Sequence, residues 1–113
     1  MNPKMCTMPC ARNDVVLLPF PFADQSSRKV RPAVVVGFGS HPGDIILVPL
    51  TSRLQQADLV LVNWQDCGLN VPSGIKAQIA TIESDLVLSV VGRLTRQDVA
   101  ALNHAIRQWL ELD

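Results

Sequence analysis

Short β-branched runs separated by Pro- and Gly-rich turns, then a switch to helical period near residue 95, predict an α+β domain. These elements suit a small SH3-like, partly open antiparallel β-barrel of about five to six strands with a C-terminal amphipathic helix. A length of 113 residues with 48% hydrophobic side chains is enough for one domain with its own core.

The segment "DVVLLPF" (14–20) reads as the first strand; Pro19 and Pro21 cannot donate to a ladder and mark a strand end or edge. The loop "PFADQSSRKV" (21–30) is long for a hairpin connection, and long loops are often functional. "PAVVVGF" (32–38) is a second strand, "GSHPGD" (39–44) a turn, and "IILVPLTS" (45–52) a third strand. "ADLVLVNW" (57–64) reads as a fourth, followed by the loop "QDCGLNVPSG". "GIKAQIATI" (74–82) alternates in the β manner, which puts Ile75, Ala77, Ile79 and Thr81 on one face. "ESDLV" suits a turn of helix, and "VLSVVGRL" (87–94) is the last strand. Thr95 and Asp98 then form a capping-box-like start, with Asp in place of the usual Glu or Gln. Val99, Leu102, Ile106 and Trp109, with Leu110 beside them, make one helical stripe.

Residues 1–12 are expected to be a flexible N-terminal extension and 13–113 a single domain. No apolar run approaches the ~20 residues that cross a bilayer, and the N-terminus lacks the apolar stretch of a signal peptide. A soluble, cytoplasmic protein without a membrane partner is the expectation. The formal net charge of zero argues against broad attraction to nucleic acid, but Arg28, Lys29, Arg31 and Arg53 gather around two strand ends. That cluster is either a solvated loop or a binding surface. Cys6, Cys10 and Cys67 are an odd count, which argues against a disulfide framework. Cys6 and Cys10 with His41 match no closed zinc pattern, so no metal and no cofactor are expected. Cys67 reads as an unreactive turn residue.

The blocks "DVVLLPFPF", "RKVRPAVVV", "DIILVPLTS", "PSGIKAQIATIE" and "VVGRLTRQDVAAL" run in order from Asp14 to Leu102, within a resemblance that extends to Leu112. Together they resemble the MazF/PemK family of bacterial toxins, most specifically in "VRPAVVV" with "VPLTS". The resemblance implies a homodimeric, metal-independent endoribonuclease that cuts single-stranded RNA at selected sequences. It also implies a cognate antitoxin that neutralises the toxin, and a toxin–antitoxin complex that binds DNA. Arg31 and Thr51 are then the catalytic pair, with Ser52 beside them. Arg28, Lys29, Arg53, Lys76, Gln78 and Phe22 are the candidate RNA contacts, and Phe20, Phe22 and Trp64 are the aromatics able to stack on bases.

Chemistry supports the pairing. Metal-free RNA cleavage uses the substrate's 2′-hydroxyl as nucleophile, and needs a proton acceptor, a stabiliser of phosphoryl charge and an acid for the leaving oxygen. Arginine suits the second role, because its planar fork bonds phosphate bidentately and keeps its charge. Pro32 restricts Arg31 to extended backbone, which would aim that side chain reproducibly. The proton carriers stay open: His104 falls on the solvent side of its helix, and His41 sits in a turn. Some family members carry R-x-D where this chain has Lys76-Ala77-Gln78, and glutamine transfers no proton. Two other readings stand beside the nuclease. One is a non-catalytic binder on the same barrel, whether a gyrase poison or an inactive homologue. The other is a peptide-binding module, which leaves the pairing of Arg31 with Thr51 without a purpose.

Overall fold

The computed structural model describes residues 10–19 and 29–113. Seven strands and one α-helix are formed among them: β1 (Asp14–Pro19), β2 (Val30–Phe38), β3 (Asp44–Thr51), β4 (Leu59–Val60), β5 (Gly74–Ile75), β6 (Ala80–Glu83), β7 (Ser89–Arg93) and α1 (Arg96–Trp109). The sheet is antiparallel and open, in the order β4-β5-β3-β2-β1-β7, with β6 also paired to β3. The expected α+β architecture with a C-terminal helix is therefore present, as an open sheet rather than a closed barrel.

Alternation along the central strands builds a core on each face of this sheet. Val15, Val34, Val48 and Leu50 form one with Leu61, Cys67, Ile75, Leu94 and Leu102. Val16, Leu18, Ala33, Val35, Ile45 and Leu47 form the other with Val87. α1 serves the first: Leu102 is buried, while Val99, Ile106 and Trp109 pack against the same cluster. Leu110, expected at the edge of that stripe, caps the helix and is exposed.

Two expectations from periodicity are corrected. The run 57–64 is a strand only at Leu59–Val60, and Trp64–Cys67 turn as a short 3₁₀ helix. The run 74–82 breaks into β5 and β6, because Gln78 N–H donates to the Lys76 carbonyl at 2.8 Å and Ala77 N–H donates to Asp58 Oδ2 at 2.8 Å. That turn shifts the phase by one residue, so Ala80 and Ile82 pack inward while Ile79 and Thr81 face out.

Two bonds join the start of the described domain to β2 and α1. Asn13 N–H donates to the Val35 carbonyl at 2.7 Å, and Arg12 donates to Asn103 Oδ1 at 2.9 Å. Asn13 has φ 77°, a left-handed conformation that asparagine tolerates better than most residues. Among the described residues no helix is long and apolar enough to cross a membrane.

Candidate functional site

The functional geometry starts where β3 changes partners. Its first part pairs with β2 and β6, but Leu50 and Thr51 pair with Ile75 and Gly74 of β5. Ala33 stands opposite Pro49. Arg31 lies two residues before Ala33 on β2 and Thr51 two residues after Pro49 on β3, so each sits just past the last pair of that ladder. The two strand ends open into a cleft of about 530 Å³ that both residues line.

Ser52, Arg53, Lys76 and Gln78 line the same cleft, the last two through the 76–78 turn. Arg31, Arg53 and Lys76 give it three cations. No carboxylate, imidazole or thiol lines it among the described residues, and none of the three cations is in an ion pair there. Among the described residues, then, positive charge gathers at one concave site, which suits an anion.

Thr51 is oriented by its own backbone. Arg53 N–H donates to Thr51 Oγ1 at 3.0 Å, so the hydroxyl proton is left to donate elsewhere. Arg31 lies next to half-buried Pro32, which is opposite Leu17 of β1, and both of these also line the cleft.

The opposite wall, Gly68 to Val71 with Ser73, had been legible only as a loop. Close backbone packing places it. A Cβ on Gly68 would meet the Val91 carbonyl oxygen at 2.2 Å, and one on Gly92 would meet the Cys67 carbonyl oxygen at 2.1 Å. Gly68 also has φ +88°, which a side chain would strain. The register of β1 with β7 slips at this point, leaving Val91 as a bulge residue that lines the cleft. From the other side, Asp98 Oδ1 and Oδ2 accept from Val62 N–H and Asn63 N–H, each at 2.9 Å. The helix start that the sequence announced thereby also fixes the segment leading into the wall.

The remaining candidates fall elsewhere. Lys29 is exposed just before β2 and does not line the cleft. Trp64 packs partly buried against the core rather than into the cleft. Arg28, Phe20 and Phe22 lie outside the described residues. His41 is 82% exposed beside Asp44, and His104 is on the outer face of α1. Cys67 is fully buried and its thiol donates to the Asn63 carbonyl; burial pushes its pKa up, in keeping with an unreactive residue. Sequence reasoning missed Gln56, Leu69, Asn70 and Ser73 as lining residues. The length of the 65–74 loop was the one available signal.

A family model described as the PemK-like, MazF-like toxin of type II toxin–antitoxin system matches residues 11–110. Among solved structures, an endoribonuclease in complex with its cognate antitoxin from a mycobacterial species superposes with TM-score 0.69 at 19% identity, covering 95% of this chain and 97% of that one. The Mycobacterium tuberculosis toxin MazF-mt6 superposes with TM-score 0.69 at 20% identity, covering 88% and 98%. A second mycobacterial endoribonuclease gives 0.68 at 18% identity, covering 94% and 96%. No curated protein matches the chain.

Proposed function

The chain belongs to the PemK-like, MazF-like toxin family of type II toxin–antitoxin systems, and from that premise we propose that it is an endoribonuclease that cuts single-stranded RNA at selected sequences without a metal ion. One observation carries the reading: Arg31, Arg53 and Lys76 line a single cleft that no carboxylate lines among the described residues. RNA presents a phosphate at every nucleotide, and a groove of this charge suits such a chain.

In the proposed reaction the substrate's 2′-oxygen attacks the adjacent phosphorus and the bond from phosphorus to the 5′-oxygen breaks. The products are a cyclic 2′,3′-phosphate and a 5′-hydroxyl; the proton lost by the 2′-oxygen is balanced by one gained at the 5′-oxygen. Arg31 holds the phosphoryl oxygens as negative charge builds on them, and the free hydroxyl proton of Thr51 adds a second donor, with Ser52 beside it. Lys76, Arg53 and Gln78 hold the flanking backbone. In this family reading the working unit is a homodimer in the cytoplasm. A cognate antitoxin blocks the cleft with an acidic segment, and the toxin–antitoxin complex binds DNA.

The test is purified protein with a long RNA in EDTA. Cutting with 5′-hydroxyl ends is expected, and Arg31→Ala should slow it by roughly 100-fold or more, the usual cost of losing such a stabilising donor. A requirement for added divalent ions, or full activity in that variant, would reject the scheme.

One observation favours a second reading, a non-catalytic binder: among the described residues no histidine or carboxylate lines the cleft to move a proton. Growth arrest on expression with cellular RNA left intact would decide for it.

A further inference from the structure

The cleft has a chemically mixed lining. Its cations come from the β2 and β3 ends and from the 76–78 turn. Leu17 of β1, Val91 of β7 and the arch Leu69–Asn70–Val71 line it too, and add aliphatic surface. The arch is pinned on β7 through Gly68 and Gly92. No aromatic ring lines it among the described residues.

Asn70 is the polar side chain at the crown of that arch, and it is exposed with no hydrogen-bond partner among the described residues. The arch is braced on both sides. Leu69 packs into the core and its N–H reaches the Trp64 carbonyl at 3.4 Å. Ser73, 3% exposed, donates its hydroxyl to the Val71 carbonyl at 2.9 Å, and its own carbonyl accepts from Leu61 N–H at 3.0 Å. A free amide on a braced arch thus shares one cleft with aliphatic side chains and with the cations Arg31, Arg53 and Lys76. A nucleobase has the matching form: two apolar faces and an edge of adjacent donors and acceptors.

Resting on the ribonuclease reading, we propose that Asn70 selects the cleavage sequence: it hydrogen-bonds the edge of one base while Leu17, Leu69 and Val91 enclose that base. The amide offers one acceptor and one donor, so it matches an edge where a donor neighbours an acceptor. Asn70→Ala removes this preference. Asn70→Asp leaves acceptors alone, which suit the paired donors N1–H and N2–H₂ of guanine.

The test is sequencing of the 5′ ends produced from one long RNA by the wild-type protein, Asn70→Ala, Asn70→Asp and Arg53→Ala, each verified as folded by thermal melting. The readout is the ratio of cutting among sites. With Asn70→Ala, discrimination at one position of the motif should fall roughly tenfold to hundredfold. With Asn70→Asp, that position should move toward guanine. Arg53→Ala should slow all sites alike, because a phosphate contact carries no sequence information. Unchanged site ratios in both Asn70 variants overturn the proposal, as does loss of all cutting in both, which would place the residue in turnover rather than selection. A wild-type protein that cuts no RNA removes the ribonuclease reading itself, and with it the role of Asn70.

Discussion

Replacing Asp98 with alanine should be among the most damaging single changes that leave every cleft side chain in place. Its carboxylate is 1% exposed and takes two backbone N–H groups, from Val62 and Asn63, at 2.9 Å each. Hydrogen bonds to a charged acceptor contribute about 1.5–3 kcal/mol each, and a buried donor left unmet costs a similar amount. Two such losses, reduced for partial solvent access to the loop, come to about 3–4 kcal/mol. Loss of an acidic residue from the first helical turn adds about 0.5 kcal/mol. At the usual unfolding entropy per residue, a total near 4 kcal/mol lowers Tm by roughly 15 °C in a domain of this size. Asp98→Asn keeps one acceptor oxygen but turns an NH₂ toward the other N–H, so about half that loss or more should remain. Thr95→Ala removes the helix N-cap, whose Oγ1 accepts from Asp98 N–H at 3.3 Å, and should cost about 1 kcal/mol. Guanidinium melts of the three variants test the ranking. An Asp98→Ala protein within 1 kcal/mol of wild type, or no worse than Thr95→Ala, would refute the claim that the carboxylate ties the helix start to the loop.

Gly92→Ala should be poorly tolerated, losing roughly 1–3 kcal/mol or failing to fold, because its new Cβ would lie 2.1 Å from the Cys67 carbonyl oxygen; expression level and thermal melting check this. Asn13→Gly should be neutral or slightly stabilising and Asn13→Val destabilising by about 1–2 kcal/mol, since the backbone there has φ 77°; equal Tm values for the two would contradict the assignment. RNA affinity should fall with salt, and Arg53→Ala should reduce the slope of log K against log salt by about 0.7, the value for one phosphate contact on a single strand. The Cys67 thiol has a raised pKa in the fold, so the unfolded chain ionises first as pH climbs through the ordinary thiol value of 9.0. Its contribution to stability is therefore full below that range and lost above it, and Cys67→Ala should flatten the alkaline decline in denaturant midpoint.

What could be read from residues alone followed the range of the forces involved. The central strands and the helix were legible, because β-branched alternation and a 3.6-residue stripe are local signals. The pairing of Arg31 with Thr51 was expected only through family resemblance; the fold adds that both line one cleft, at neighbouring strand ends. The break between β5 and β6 was not legible. Lys76-Ala77-Gln78 contains no Gly or Pro, and the turn depends on Asp58, 19 positions earlier in the chain. Asp98 was visible as a cap, but its hold on Val62 and Asn63 spans more than thirty residues. Asn70 was invisible for a similar reason: its place on the cleft wall depends on which strand Gly68 touches.

The contact between Gly68 and Gly92 has an implication for change over time. Because main chain rests directly on main chain there, the outline of the groove owes little to the side chains that happen to decorate it. The exposed positions 70 and 71 can exchange residues while the chassis beneath them keeps its shape, so the chemistry of this wall can change by decoration alone. The two glycines themselves have no such latitude.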